Sequence, residues 1–481
     1  MPVQHVYSPP EWNECMASAT NGKWNVGKTS TYMVCGPKGS GKSTFTKLLT
    51  NKLLTDHNAP RPKNAGPGKK KKPVGILLLD IDPGQPEYSS PGNLSLMHIT
   101  KPNFGPPFAH PSPESGGCEV LWSHSVCAIT PSQDPEHYMA CIIDLLNHYK
   151  HHVSSNAECP LIINTPGWVL GTGLELLVEL IKNSKPTVVI YMSTEGPHDV
   201  VSALRSEANQ FKTPVIPLPS TTTEFSTRTA GQLRIMQTMS YFHLNQKVAG
   251  QNVWNGTPLT SMPPWIVKYS GKNKGIVGIM CLGEQPHPDM LSEAINGTLV
   301  AVVVIDDTYA EDYAKLRQER GLDSQPVTSM SKERIPYFNE EYGAYLDPKK
   351  SRSLGVALIR GVDTENGCLQ LLTPIAPSIL KVLAHYGKSI ALVSGKLETP
   401  GWAYTEELHR RAAIAHSVRQ KQLGALGVVD DDESEEEEEE VEMVKGWEEA
   451  PWIERVEGHV GRGVGARVWK VRRDLGRSAD A

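Results

Sequence analysis

No two of the eight cysteines in this 481-residue chain stand in a C-x-x-C spacing, which leaves no sign of a zinc site or a disulfide framework and predicts a reduced, intracellular setting. Nor is there an apolar run of about 18 residues or a signal-peptide core near the N-terminus, so a soluble chain without a membrane partner is expected. The guanine-reading N-K-x-D motif is also missing. Its nearest match, Asn51-Lys52-Leu53-Leu54, lacks the aspartate, and Asn164-Thr165-Pro166-Gly167 has a neutral residue where D-T-P-G has an acid. These two gaps argue against a GTPase. The net charge of −5 averages two opposite blocks: a basic stretch, Arg61–Lys72, and an acidic run, Asp430–Glu440. The basic block suits nuclear import, RNA contact or simply a solvated surface loop.

What is present is more telling. Gly36-Pro37-Lys38-Gly39-Ser40-Gly41-Lys42-Ser43-Thr44 fits G-x-x-x-x-G-K-[ST]. Thr31–Cys35 reads as a buried strand entering it, and Phe45, Leu48, Leu49 and Leu53 fall on one face of a helix leaving it. In that setting backbone N–H groups close around phosphate oxygens at the positive end of the helix. Lys42 would reach the β- and γ-phosphates and Ser43 would sit on Mg²⁺. The motif predicts a bound nucleoside triphosphate.

Strands and helices alternate from Thr31 to about Gly256: strand Val74–Leu79, helix His137–Tyr149, strand Leu161–Asn164, helix Gly173–Asn183, strand Thr187–Met192. The expected fold class is α/β, a doubly wound, mostly parallel sheet of the P-loop NTPase kind with its site at the carboxyl ends of the strands. Residues 1–30 read as a lead-in, 31–256 as the P-loop domain and 257–400 as a smaller β-rich domain. The β-rich reading rests on the short β-branched runs Trp265–Tyr269, Leu299–Ile305, Val356–Ile359 and Ile390–Val393. Residues 401–481 would hold a helix (Glu406–Leu423), the acidic run, disordered by composition, and a basic tail, Trp447–Arg477, that carries Trp447, Trp452 and Trp469.

The strand after the P-loop ends in Asp80-Ile81-Asp82-Pro83-Gly84-Gln85-Pro86-Glu87, which puts carboxylates opposite Ser43. One of Asp80 and Asp82 can orient Mg²⁺ and the other can take a proton from an attacking hydroxyl; Asp82, further past the strand, is the better placed to face a substrate. Trp168 follows a strand-end turn, where it either stacks on a nucleobase or packs the loop onto the sheet. Arg228 and Arg234 lie at the start of an expected helix; arginines delivered there can neutralise a transferring phosphoryl group, or simply flank a solvated helix.

Taken together, these elements resemble the polynucleotide 5′-hydroxyl kinases of RNA processing. The resemblance rests on the P-loop, on L-L-D-I-D-P-G-Q-P-E-Y-S-S-P-G-N-L-S-L, I-T-P-S-Q-D-P-E-H-Y and I-N-T-P-G-W-V-L-G-T-G, and on the arginine-bearing segment before M-S-Y-F. It runs from about Tyr32 to Phe242, with further matches at K-L-E-T-P-G-W-A-Y and R-V-W-K-V-R-R-D-L-G-R. Within the family the chain looks like the nucleolar pre-rRNA-processing branch. The resemblance implies ATP-dependent, Mg²⁺-assisted phosphorylation of an RNA 5′-hydroxyl after cleavage in the second internal transcribed spacer, with nuclear and nucleolar localisation. It implies Lys42 and Ser43 in the P-loop, Asp82 as metal-associated carboxylate or general base, and Asp80 beside the metal. It further implies Arg228 and Arg234 in a lid, Trp168 in a clasp on the substrate end, and Thr130 and Pro131 near the RNA backbone. A HEPN-type endoribonuclease is the implied partner, docked through Trp447–Arg477. One departure is that a substantial domain usually precedes the kinase, whereas this P-loop begins at residue 36; a shortened gene model or a lineage without that domain is expected. The competing expectation is an ATP-binding assembly subunit that holds and activates the nuclease without essential phosphoryl transfer; an ATPase or GTPase switch is a third.

Overall fold

The computed structural model describes residues 7–24, 30–58, 75–112, 117–155, 159–221, 228–244, 253–271, 274–306, 328–338, 346–379, 388–401 and 403–408, with isolated positions at 383 and beyond 410. The Arg61–Lys72 block, the acidic run and the Trp447–Arg477 tail lie outside the described residues, as does most of the expected helix Glu406–Leu423.

Seven strands form the first sheet: β1 (Thr31–Cys35), β2 (Ile76–Asp80), β3 (Asn93–Ile99), β4 (Cys118–Ser125), β5 (Leu161–Asn164), β6 (Val188–Tyr191) and β7 (Val215–Pro217). Their order is β4-β3-β2-β5-β1-β6-β7. The five from β2 to β7 are parallel, and β3 and β4 run antiparallel on one edge. The central strands are buried on both faces, so they read as unbroken apolar runs. Alternate side chains feed two cores. Met33, Leu79 and Ile163 pack with Ile142, Leu180 and Leu204 of helices α3 (Pro135–Ser155), α4 (Thr172–Ser184) and α5 (His198–Gln210). Val34, Leu78 and Ile162 face α1 (Pro10–Thr20) and α2 (Lys42–Asn58) on the opposite side. Helices on both faces make the sheet doubly wound, as expected.

Residues 10–20, read from sequence only as part of a lead-in, form α1, with Pro10 at its first position. Trp12 is fully buried: its ring meets Phe45 edge-on at 5.3 Å, and its indole N–H donates to the Pro219 carbonyl over 2.8 Å. Trp12→Ala is expected to cost about 3–5 kcal/mol. That corresponds to a fall of roughly 10 °C in the melting midpoint of this domain, read by differential scanning calorimetry.

The second sheet has eight strands: β8 (Trp265–Lys268), β9 (Gly278–Cys281), β10 (Leu299–Ile305), β11 (Thr328–Met330), β12 (Pro336–Phe338), β13 (Ser351–Asp363), β14 (Cys368–Leu372) and β15 (Ser389–Ser394). Their order is β11-β12-β9-β15-β10-β13-β14-β8, antiparallel except where β9 pairs with β12 and β15. All four β-branched runs picked out from the sequence lie in strands of this sheet.

Helix α6 (Ala230–His243) joins the two sheets. A capping box starts it: Thr229 Oγ1 accepts from the Gln232 N–H, and the Gln232 side chain accepts from the Thr229 N–H. Its far end packs Tyr241 and Phe242 against Leu299, Val356 and Leu358 of the second sheet. Tyr241 Oη both accepts from Val356 N–H and donates to the Val356 carbonyl. At the same end His243 Nε2 lies 2.6 Å from Glu406 Oε1.

Candidate active site

Three P-loop glycines turn through positive φ: +145° at Gly36, +77° at Gly39 and +91° at Gly41. A side chain on Gly41 would stand 2.6 Å from Thr221 Oγ1 and 2.8 Å from the Trp12 ring. The loop therefore wraps a phosphate-sized hollow only because these positions carry no Cβ. It floors a cleft of about 840 Å³ whose lining includes Lys38, Lys42, Ser43, Asp82, Gln85 and Gly167.

Lys42 opens α2 and is buried, its ammonium donating to the Pro37 carbonyl over 2.8 Å. Burial pulls its pKa down from the ordinary lysine value, while the Asp82 carboxylate, facing it across the cleft, pushes it back up. The two strand-tip acids part ways. Asp80 is wholly enclosed: Oδ1 accepts from the Asn164 amide at 2.9 Å and Oδ2 from the Glu87 N–H at 2.7 Å. Burial pushes its carboxyl up to about 7, only partly offset by the two donors. Asp82 remains at the cleft, where Oδ1 accepts from the N–H groups of Gly84 (3.0 Å) and Gln85 (3.3 Å). Burial raises its pKa too; those donors, Lys42 and Arg234 act against the rise.

The raised Asp80 carboxyl has a stability consequence. Between its unfolded and folded pKa the native chain holds the extra proton, so stability falls as pH rises from about 4 towards 7. In chelator, the melting-point gap between wild type and Asp80→Asn should change steadily in the variant's favour from pH 5 to pH 8 and flatten above.

Ser43, Thr46, Asp80 and Asn164 also line one small pocket beside the cleft. These side chains offer oxygen donors and a buried carboxyl that its two N–H partners offset only in part, which suits Mg²⁺ shared with phosphate oxygens and water. Among the described residues no cluster of three or more His, Cys, Asp or Glu would hold a metal on protein ligands alone.

Of the remaining residues singled out from sequence, Trp168, Thr130, Pro131, Arg228 and Arg234 are not among those that line the cleft, and Arg234 lines a small pocket where the two sheets meet. Gly167 packs on the P-loop, where a Cβ would come within 2.7 Å of Lys38 Cα. The turn that carries Trp168 thus abuts the phosphate site, although Gly167 rather than Trp168 lines the cleft. Thr130 caps a 3₁₀ turn beginning at the buried Pro131, and the preceding Ile129 carbonyl lies against Gly84, beside the Asp82 turn. Arg228 lies just ahead of α6 and Arg234 in its first turns. Arg234 is held by Glu398: Nε to Oε2 at 2.8 Å and Nη2 to Oε1 at 3.0 Å. Glu398 and Glu87 stand in motifs visible in the sequence, but their partners do not: Glu87 Oε1 meets Lys47 at 2.6 Å and His110 at 2.9 Å. Partners so distant in sequence leave no local spacing to find them by.

Residues 36–244 match the family described as the mRNA cleavage and polyadenylation factor CLP1 P-loop. A curated protein of Gibberella zeae, polynucleotide 5′-hydroxyl-kinase GRC3, is 41% identical over 99% of this chain and 64% of its own length. One of Aspergillus niger, polynucleotide 5′-hydroxyl-kinase grc3, is 36% identical over 92% of this chain and 58% of its own. The chain therefore spans less than two thirds of the length of these relatives. A solved structure of the Pcf11p–Clp1p interface has the same fold, with a TM-score of 0.50 and 16% identity over 81% of this chain and 80% of that one.

Proposed function

We propose, from the premise that the chain belongs to the polynucleotide 5′-hydroxyl-kinase family, that it transfers the γ-phosphoryl group of ATP to the 5′-hydroxyl of RNA. The observation that carries this reading is the pairing of Lys42 and Asp82 in one P-loop cleft: a buried cation on the phosphate side, and a carboxylate of raised basicity where an acceptor hydroxyl would enter. The 5′-oxygen attacks the γ-phosphorus, the bond to the β–γ bridging oxygen breaks, ADP leaves, and the hydroxyl proton passes to Asp82. Lys42 holds the β- and γ-oxygens while charge spreads over them, and Arg234 and Arg228 serve the same charge from the α6 side. Ser43 and Asp80 would hold Mg²⁺, which supplies further neutralisation of the phosphates and leaves Asp82 to take the proton. The 164–168 turn and the Thr130–Pro131 corner, on either side of the Asp82 turn, are the surfaces for the RNA end.

The same reading places the chain in pre-rRNA processing at the second internal transcribed spacer, in the nucleus and nucleolus, with a HEPN-type endoribonuclease that leaves the 5′-hydroxyl. Support comes from the kind of substrate such a cut produces and from the make-up of Trp447–Arg477, whose tryptophans and arginines suit folding onto a partner. The test offers labelled ATP with two otherwise identical RNAs, one ending in a 5′-hydroxyl and one in a 5′-phosphate. Labelling of the first alone is expected. ATP binding without labelling of either, with the nuclease added, would replace this reading by that of an assembly subunit.

A further inference from the structure

The K-L-E-T-P-G segment has no role in the mechanism above, yet it is where the second sheet meets the P-loop domain. It leaves β15 and turns back onto the P-loop domain. Lys396 forms a parallel bridge with Ala128, two residues from Thr130, and Leu397 packs into the junction core beside Gly92. Thr399 Oγ1 accepts the Leu299 N–H at 3.2 Å. Glu398 is thus anchored on both sides, and its carboxylate grips the Nε and Nη2 edge of Arg234. Two of the five guanidinium N–H groups are used this way. Arg234 Nη1 makes no hydrogen bond to any described residue, and Gln237, three residues further along α6, donates its amide to the Pro86 and Ser89 carbonyls at 2.7 Å each, which seats this part of the helix on the loop that follows Asp82.

We propose that Glu398 is a positioning residue for phosphoryl transfer: it holds Arg234 by one edge so that the other edge of the guanidinium is presented to the transferring phosphoryl group. The proposal rests on the kinase reading and adds to it a dependence of catalysis on the second sheet. A bidentate grip fixes both the direction and the plane of an arginine, which a single contact does not. Stability alone says little here. Arg234 is 16% exposed and Glu398 45%, and an ion pair at such a surface is worth at most about 1 kcal/mol. Its value lies in placement, since displacing a catalytic group by about 1 Å can cost roughly 10²-fold in rate.

The test measures steady-state transfer to a 5′-hydroxyl RNA by the full chain, for wild type, Glu398→Gln, Glu398→Asp, Arg234→Ala and the Arg234→Ala/Glu398→Gln double variant. Glu398→Gln is expected to lower kcat by about 10- to 100-fold with the KM for ATP within about twofold, because the interaction matters only in the transition state. Glu398→Asp should recover part of the loss. The double variant should be no slower than Arg234→Ala alone, as both changes act through one guanidinium, and melting points should stay within about 2 °C of wild type. Glu398→Gln at the wild-type rate while Arg234→Ala is inactive would overturn the proposal and leave the kinase reading intact. So would a faster Glu398→Gln, which would make the carboxylate a latch that withholds Arg234. Multiplying losses in the double variant would also overturn it. Arg234→Ala at full rate while Lys42→Ala is inactive would remove the arginine's role and this proposal with it; a wild-type chain that labels no RNA would overturn both readings.

Discussion

Lys42→Ala should lower transfer to a 5′-hydroxyl RNA by about 10³-fold or more. The ammonium lies buried at the first turn of α2, where little water can stand in for it, and it donates to the loop's own Pro37 carbonyl. In so dry a site a fixed positive charge acts on the phosphate oxygens far more strongly than it would in water. Lys42→Arg is expected to rescue poorly, because a planar guanidinium does not fit the space that a point-like ammonium fills. The measurement is single-turnover transfer at saturating ATP, with the melting point checked alongside. On the proposal that the Trp447–Arg477 tail is a separate nuclease-binding module, Lys42→Ala is expected to leave that binding intact.

Asp82→Asn should lower the same rate by about 10²- to 10⁴-fold, the usual range for loss of a general base. This variant isolates chemistry from folding. Asp82 Oδ1 accepts from Gly84 and Gln85, and the asparagine carbonyl can accept both bonds, so the turn should survive. The pH profile gives a second readout. Burial holds the Asp82 carboxyl above its ordinary pKa, and only the deprotonated form takes a proton. The wild-type rate should therefore rise as pH climbs through that raised pKa and level off above it. Asp82→Asn should lose the rise along with the rate, whereas a carboxylate that merely orders the loop would lower the rate and leave the profile's shape unchanged.

The legible part of this fold is the part whose signals are local. Thr31–Cys35 and Leu161–Asn164 are visible as continuous apolar runs because parallel central strands are covered on both faces. The P-loop glycines announce themselves because only glycine makes those turns. By contrast β3 and β4 pass as loop. They are set among prolines, glycines and serines, and β4 is half-exposed, so neither a buried run nor a clean alternation marks it. Helix α1 begins at Pro10 with Pro9 as its N-cap, a pair that reads as linker although proline suits the first turn of a helix.

The site divides along the same line. The spacing of Asp80 and Asp82 puts both at a strand tip and favours Asp82, further past the strand, only by position as the one nearer the cleft. The assignment comes from partners: Asn164 and the Glu87 N–H enclose Asp80, while Asp82 stays at the cleft opposite Lys42. Arg234 could be singled out as a cation near a helix start, but its link to Glu398 spans 164 residues and two sheets. No periodicity carries such a pairing; it emerges only when the second sheet docks.

The most direct test of the account is to identify the chemical position of the label after incubation with γ-labelled ATP and a 5′-hydroxyl RNA, by digesting the product to nucleotides. Label is expected solely in the 5′-terminal phosphate, and none with Lys42→Ala or Asp82→Asn. Label released only as inorganic phosphate, at a rate indifferent to the RNA, would contradict it.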